Sequence, residues 1–303
     1  MYIIPHDFRR EMIALHEEEG REWLDRLPSI LAACEQRWGL TISPPFGLSY
    51  HYVAPAVRAD GTPVVVKVCS PTGEFKQEAE ALLLLDGHGM VQLLDWNPAN
   101  EAMLLERLIP GTLLKSMEND EEATSCAASV MRQIWRPVPE NHPFPSVQDW
   151  GRGFARLREH WGGGNGPFPL ALLEEAETLY AELSASMAEP VLLHGDLHHD
   201  NILAAERQPW LAIDPKGLIG EPAYETGSWL RNPYPQLLEM PQPGRMLARR
   251  IDQFAEELGF DRARVRDWAV AQAVLAAWWG MEDSGYISDT ALRIAELLAA
   301  IKV

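Results

Sequence analysis

An α+β fold, with a small strand-rich first part and a larger helical second part, is predicted by two observations. The hydrophobic period changes from helical to alternating near Leu40, then returns to helical after Pro110-Gly111 for most of the remaining chain. Apolar residues make up 47% and charged residues 23% of the 303 positions, values that exclude disorder for most of the chain. The break between the parts is expected near Leu108–Gly111, giving domains 1–108 and 109–303.

Residues 8–38 read as mostly helical, because Leu15, Trp23, Leu24, Leu27, Ile30 and Leu31 recur at helical spacing, with interruptions expected at Gly20 and Pro28. Strands are expected over 40–46, 50–58 and 63–69, the last two joined at the turn signal Asp60-Gly61. A helix over 74–85 and strands over 90–96 and 102–108 complete the first part. In the second part, the helix over 171–187 places Leu172, Ala176, Leu179, Tyr180, Leu183 and Met187 on one stripe, with its glutamates elsewhere. Later helices are expected over 244–258, 262–281 and 289–301. The segment 191–215 breaks the helical pattern, and 162–166 reads as a flexible glycine-rich loop.

The formal net charge of −18 argues against a nucleic-acid surface, which needs a basic stripe, and suits a cationic ligand. Three scattered cysteines, Cys34, Cys69 and Cys126, form no disulfide framework or zinc ribbon. The acidic first 20 residues lack the apolar core of a signal peptide, and no apolar run is long enough to span a bilayer. The expectation is a cytoplasmic protein with no membrane association and no obligate protein partner.

The segment His194-Gly195-Asp196-Leu197-His198-His199-Asp200-Asn201-Ile202-Leu203 carries the chemistry, followed eleven residues later by Asp214 in Ile213-Asp214-Pro215. Phosphoryl transfer needs a carboxylate beside the attacking hydroxyl, and oxygen ligands for Mg²⁺ on the nucleotide phosphates. His-x-Asp, four residues and then Asn is the kinase catalytic-loop pattern. Asp196 is the expected proton acceptor and Asn201 a metal ligand. A hairpin around Glu206–Pro209 is expected to return Asp214 to the same Mg²⁺. Zinc on His194 and His198, four residues apart, is the rival reading of the histidines, and Asp200 is a further candidate ligand.

These stretches, with residues 213–225, resemble the aminoglycoside phosphotransferase branch of the protein-kinase-like fold, and more closely its streptomycin/hydroxyurea kinase family. Leu104–Leu108 before Pro110-Gly111-Thr112 is similar to that family's inter-lobe linker. The resemblance implies a bilobal fold with a small antiparallel-sheet lobe and a larger helical lobe. It also implies ATP, Mg²⁺ and O-phosphorylation of a small molecule, such as a cationic amino-sugar. Kinases of another hydroxylated metabolite or of hydroxyurea, and a catalytically silent kinase fold, are the alternatives. Glu225 falls where related kinases carry an aspartate that braces the catalytic loop.

A kinase also needs a strand lysine on the phosphates and a helix acid to hold it. Lys67 lies on the opposite strand face from Val64, Val66 and Val68, and an isolated lysine in such a strand is costly to bury unpaired. Glu78 shares a helix face with Phe75, Leu82 and Leu85 and is the expected partner, whereas Glu80 can pair locally with Lys76. Glu106 and Leu108 are expected to offer backbone hydrogen bonds to the base. Gly47 alone serves the phosphate loop, which lacks the G-x-G-x-x-G pattern and leaves ATP and GTP both open. For the acceptor, Asp200, Trp279, Glu282 and Asp283 are the candidates.

Overall fold

The computed structural model describes residues 2–303, and its first element is the helix α1 (His6–Trp38). Its break falls at Glu17 (φ 46°, ψ −117°) and not at the expected Gly20 or Pro28. A side chain at Gly20 would collide with the Met12 carbonyl, so glycine there allows the two halves of α1 to fold closely together. Pro28 stays inside the helix, held by the buried Leu24, Leu27 and Leu31 around it. These residues and Cys34 form one core with Tyr52, Ala54, Ala56, Val64, Val66 and Val68.

Five antiparallel strands form the sheet beneath that helix, in the order β1 (Leu40–Ile42), β2 (Tyr52–Arg58), β3 (Pro63–Val68), β5 (Ala102–Glu106) and β4 (Leu93–Asn97). β1 stops at Ile42, earlier than expected, because Pro44 and Pro45 carry no N–H for a ladder. The β2–β3 turn forms at the Asp60-Gly61 signal: Gly61 has φ 87°, its N–H reaches Arg58 O at 2.9 Å, and Asp60 accepts from Thr62 N at 2.9 Å. β3 lies between β2 and β5, so Val64, Val66 and Val68 are fully buried. Helix α2 (Phe75–Leu85) follows β3 and turns Phe75, Glu78, Leu82 and Leu85 inward. The strand β6 (Pro110–Leu113) directly follows the linker and was not expected.

The chain divides into two compact units, Met1–Gly111 and Thr112–Val303. Around α8 (Arg262–Ser284) the second unit gathers α4 (Val147–His160), α5 (Leu170–Ala185), α6 (Thr226–Leu230), α7 (Pro243–Leu258) and α9 (Asp289–Ala299). Val265, Trp268–Leu275, Ala277 and Trp278 of α8 are buried, so apolar residues cover nearly its whole circumference, as a central helix requires. Helix α3 (Asp120–Ile134) packs on α7.

The non-helical segment 191–215 contains three short strands, β8 (Val191–Leu193), β9 (Ile202–Ala205) and β10 (Trp210–Ala212). β8 pairs with both β7 (Arg136–Pro137) and β11 (Leu218–Gly220). β9 and β10 form the hairpin expected around 206–209. Among the described residues, no helix is long and apolar enough to cross a membrane.

Candidate active site

In the second unit the loop His194–Asn201 runs from β8 into β9, and its first turn rests on a buried carboxylate. Glu225 Oε2 accepts from His194 N at 2.6 Å and Oε1 from Gly195 N at 3.0 Å. The pairing of β11 with β8 and the following turn Pro222–Glu225 bring this acid under the loop. The extra methylene of Glu relative to Asp therefore does not prevent the brace. Burial pushes the Glu225 carboxyl up to about 7, and the two N–H bonds oppose that shift. Gly195 has φ 86°, and a Cβ there would meet Leu218, Lys216 and Trp150, each at 3.2 Å. Only glycine takes that turn without strain.

His194 is fully buried and uses both ring nitrogens. Nδ1 accepts from Asp196 N at 3.2 Å, so Nε2 carries the proton and donates to Ile213 O at 2.7 Å. Burial lowers its pKa to about 4, consistent with a neutral ring. With both nitrogens occupied, His194 cannot ligate zinc. It packs under the loop and links it to the segment carrying Asp214.

Asp196 Oδ1 accepts from Ser228 Oγ at 2.8 Å and from Arg231 Nη2 at 3.1 Å, while Oδ2 lies 3.6 Å from His198 Nε2. Burial alone would raise its pKa, but His198, Arg231 and Ser228 outweigh that and hold the carboxyl well below its ordinary range. The group is therefore ionised at neutral pH. Asn201 Nδ2 donates to Asp196 O at 3.0 Å, which commits the amide nitrogen and leaves oxygen as the ligating end.

Asp214 follows the hairpin: Ile213 N donates to Asn201 O at 2.9 Å, and Lys216 N to His194 O at 2.8 Å. It takes φ 58°, a left-handed conformation that Asp tolerates better than most residues, and one found often at functional positions. No group of three or more His, Cys, Asp or Glu side chains able to hold a metal occurs among the described residues. Asn201 and Asp214 are two hard oxygen donors. That set fits Mg²⁺, which takes one or two protein ligands and completes its shell with water and phosphate oxygens.

The first unit holds a separate cluster. Lys67 Nζ lies 2.6 Å from Glu78 Oε1, and the two side chains are 1% and 7% exposed. The rival acid Glu80 sits 3.8 Å from Lys76 on an open surface. Glu106 N donates to Gln92 O at 2.9 Å, so its amide contributes no donor to a nucleobase. Leu108 is buried, and between them the Arg107 guanidinium lies over the Phe46 ring at 4.4 Å, beside Gly47.

The acceptor candidates are placed apart in the second unit. Asp200 pairs with Lys115 at 3.2 Å and Glu282 with Arg156 at 2.6 Å, so both carry a counter-ion. Trp279 meets Trp150 edge to face at 5.1 Å, and Trp150 adjoins Gly195. Asp283 is exposed at the end of α8. Sequence reasoning missed Ser228 and Arg231, which hold Asp196. The available signal was a polar residue and a charge bracketing the apolar Trp229-Leu230.

A family model described as aminoglycoside/hydroxyurea antibiotic resistance kinase matches residues 43–284. A streptomycin 6-kinase of Streptomyces glaucescens is 32% identical, over 97% of this chain and 96% of its own length. A hydroxyurea phosphotransferase of Kitasatospora aureofaciens is 34% identical, over 92% of this chain and 81% of its own. Among solved structures, a thermostable aminoglycoside phosphotransferase mutant in ternary complex with ADP and hygromycin B aligns with TM-score 0.61 at 15% identity. That alignment covers 90% of this chain and 97% of the other, and at this identity it speaks to the fold alone.

Proposed function

Because the chain belongs to the aminoglycoside/hydroxyurea antibiotic resistance kinase family and is thereby a small-molecule phosphotransferase, we propose that it transfers the γ-phosphoryl group of ATP to a ring hydroxyl of streptomycin. The observation that carries this reading is the 32% identity to a streptomycin 6-kinase over nearly the full length of both chains. In the reaction the bond from the γ-phosphorus to the bridging oxygen breaks and a new bond to the sugar oxygen forms. The hydroxyl proton passes to Asp196 and then to solvent.

Asp196 suits that role by geometry more than by basicity. Ser228 and Arg231 hold one carboxylate oxygen, and the other, with His198 Nε2 3.6 Å away, is the one assigned to orient the hydroxyl. A loose phosphoryl-transfer transition state needs the nucleophile positioned more than deprotonated early. Asn201 and Asp214 are the residues that would hold Mg²⁺, which supplies neutralising charge to the phosphates when bound. Lys67, fixed by Glu78, is assigned to phosphate oxygens, and Leu108 to the base. Of the acceptor candidates, Trp279 is favoured over Asp200 and Glu282, whose counter-ions a cationic drug would have to displace. The net charge of −18 attracts a guanidinium-bearing sugar.

A second acceptor is favoured by one observation, the 34% identity to a hydroxyurea phosphotransferase. Purified protein with Mg²⁺ and γ-labelled ATP, offered streptomycin and hydroxyurea separately, decides between them. Labelled streptomycin, together with streptomycin tolerance in a sensitive bacterium expressing the protein, is the expected result. Labelled hydroxyurea alone would replace the streptomycin reading. Nucleotide binding with no transfer to either acceptor would reject both.

A further inference from the structure

We propose that Arg250 is a positioning residue of the transfer site, holding Asp196 and the loop Leu197–Asn201 through two separate arms. The inference rests on the role of Asp196 given above. Arg250 lies on α7 with no exposed surface, in the same stripe as the buried Met246, Leu247, Ile251 and Phe254. A guanidinium buried there needs acceptors for all five N–H groups, and it has them. Nε reaches both oxygens of Asp120, at the start of α3, at 3.1 Å, and Nη2 bonds the same carboxylate. Nη1 donates to Asn232 O at 2.6 Å and Trp229 O at 3.4 Å. Nη2 also reaches His199 Nε2 at 3.2 Å, and because a guanidinium only donates, that nitrogen accepts.

Each arm ends on a segment that carries a partner of Asp196. Trp229 and Asn232 flank Leu230-Arg231, and Ser228 precedes them. Ser228 and Arg231 are the two donors on Asp196 Oδ1. His199 lies two residues before Asn201, its ring stacked on Trp229 at 3.6 Å and its carbonyl accepting from Lys115 N at 3.1 Å. Asn201 in turn bonds Asp196 O. A buried ion pair is a weak source of stability compared with apolar packing, so Asp120 alone gives little reason for an arginine on this stripe. The three remaining bonds run to two segments that meet at Asp196, one on its carboxylate and one on its backbone carbonyl, and those are what Arg250 adds.

The test compares wild type with Arg250→Lys and His199→Phe in steady-state kinetics with Mg-ATP and streptomycin. Lysine keeps the charge but loses the five-donor fork. Phenylalanine keeps a ring to stack on Trp229 but removes the accepting nitrogen. Misplacing a reactive group by about 1 Å can cost about 10²-fold. The expected result is therefore a kcat loss of ~10–10²-fold in each folded variant with both KM values changed less than about threefold. Backbone amides of 197–201 are expected to exchange faster in both variants, while those of α5 stay unchanged. Wild-type kcat in both variants, with only the melting temperature lowered, would make Arg250 purely structural and overturn the inference. If Arg250→Lys does not fold, His199→Phe decides alone. If wild type transfers nothing to streptomycin, the substrate reading fails, and amide exchange in the loop then decides the inference: unchanged exchange overturns it.

Discussion

Lys67 and Glu78 bury two opposite charges against each other, so removing one leaves the other desolvated beside a strand of valines. Breaking a buried pair from one side typically costs about 3–5 kcal/mol. Lys67→Met is therefore expected to lower unfolding stability by about that amount in urea titration. The double variant Lys67→Met/Glu78→Leu should recover most of the loss while remaining inactive. At Asp196 the expectation is the reverse: a large kinetic effect and a small structural one. Asp196→Asn keeps the shape and the Ser228 contact but removes the charge proposed to receive the proton. General-base contributions are ~10²–10⁴-fold, so kcat should fall within that range with nucleotide affinity retained by calorimetry. A loss below about tenfold would lie outside that range and remove Asp196 from the base role.

The element that carries the site is the strand–loop–hairpin from β8 to β10, braced from below by Glu225. Its carboxyl is raised from the ordinary 4.5 to about 7 by burial, so the fold favours the protonated form over this interval. The unfolded chain then binds fewer protons than the native one. Stability is full below 4.5 and falls as pH rises through 7, by roughly 3 kcal/mol in total. His194, lowered to about 4, gives the opposite slope below 6.5, where the unfolded chain takes up a proton that the fold refuses. Subtracting the pH–stability curve of Glu225→Gln from that of wild type removes the His194 contribution. The difference should show the fall between 4.5 and 7. A flat difference would mean that Glu225 stays ionised throughout.

At the scale of the whole molecule the governing quantity is the charge of −18. Attraction of a cationic sugar by a diffuse negative field is screened at ionic strengths where the Debye length falls to about 8 Å, near 0.15 M. The KM for streptomycin should therefore rise with added potassium chloride while kcat changes little. A salt-independent KM would place recognition in short contacts alone. The two-part organisation was legible because the hydrophobic period itself switches, from helical to alternating at Leu40 and back after Gly111. The break inside α1 was not. Gly20 and Pro28 are the usual breakers, yet the chain turns at Glu17, a non-glycine residue with φ 46°, while Gly20 supplies the close approach to Met12.

The pairing of Lys67 with Glu78 over Glu80, and the return of the Asp214 segment beside Asn201, could be read from the sequence alone. Each depends on strand alternation, helical spacing or a short hairpin, which a few neighbouring residues encode. The partners of Asp196 could not be read that way. Ser228 and Arg231 lie 32 and 35 positions away from it, and Arg250 lies 51 positions from His199. Nor could the sequence show that Asp200 and Glu282 would find Lys115 and Arg156. An ion pair between distant segments has no period or motif. It exists only once packing has brought the two segments together, and packing of α6 and α7 against the loop is a property of the tertiary structure.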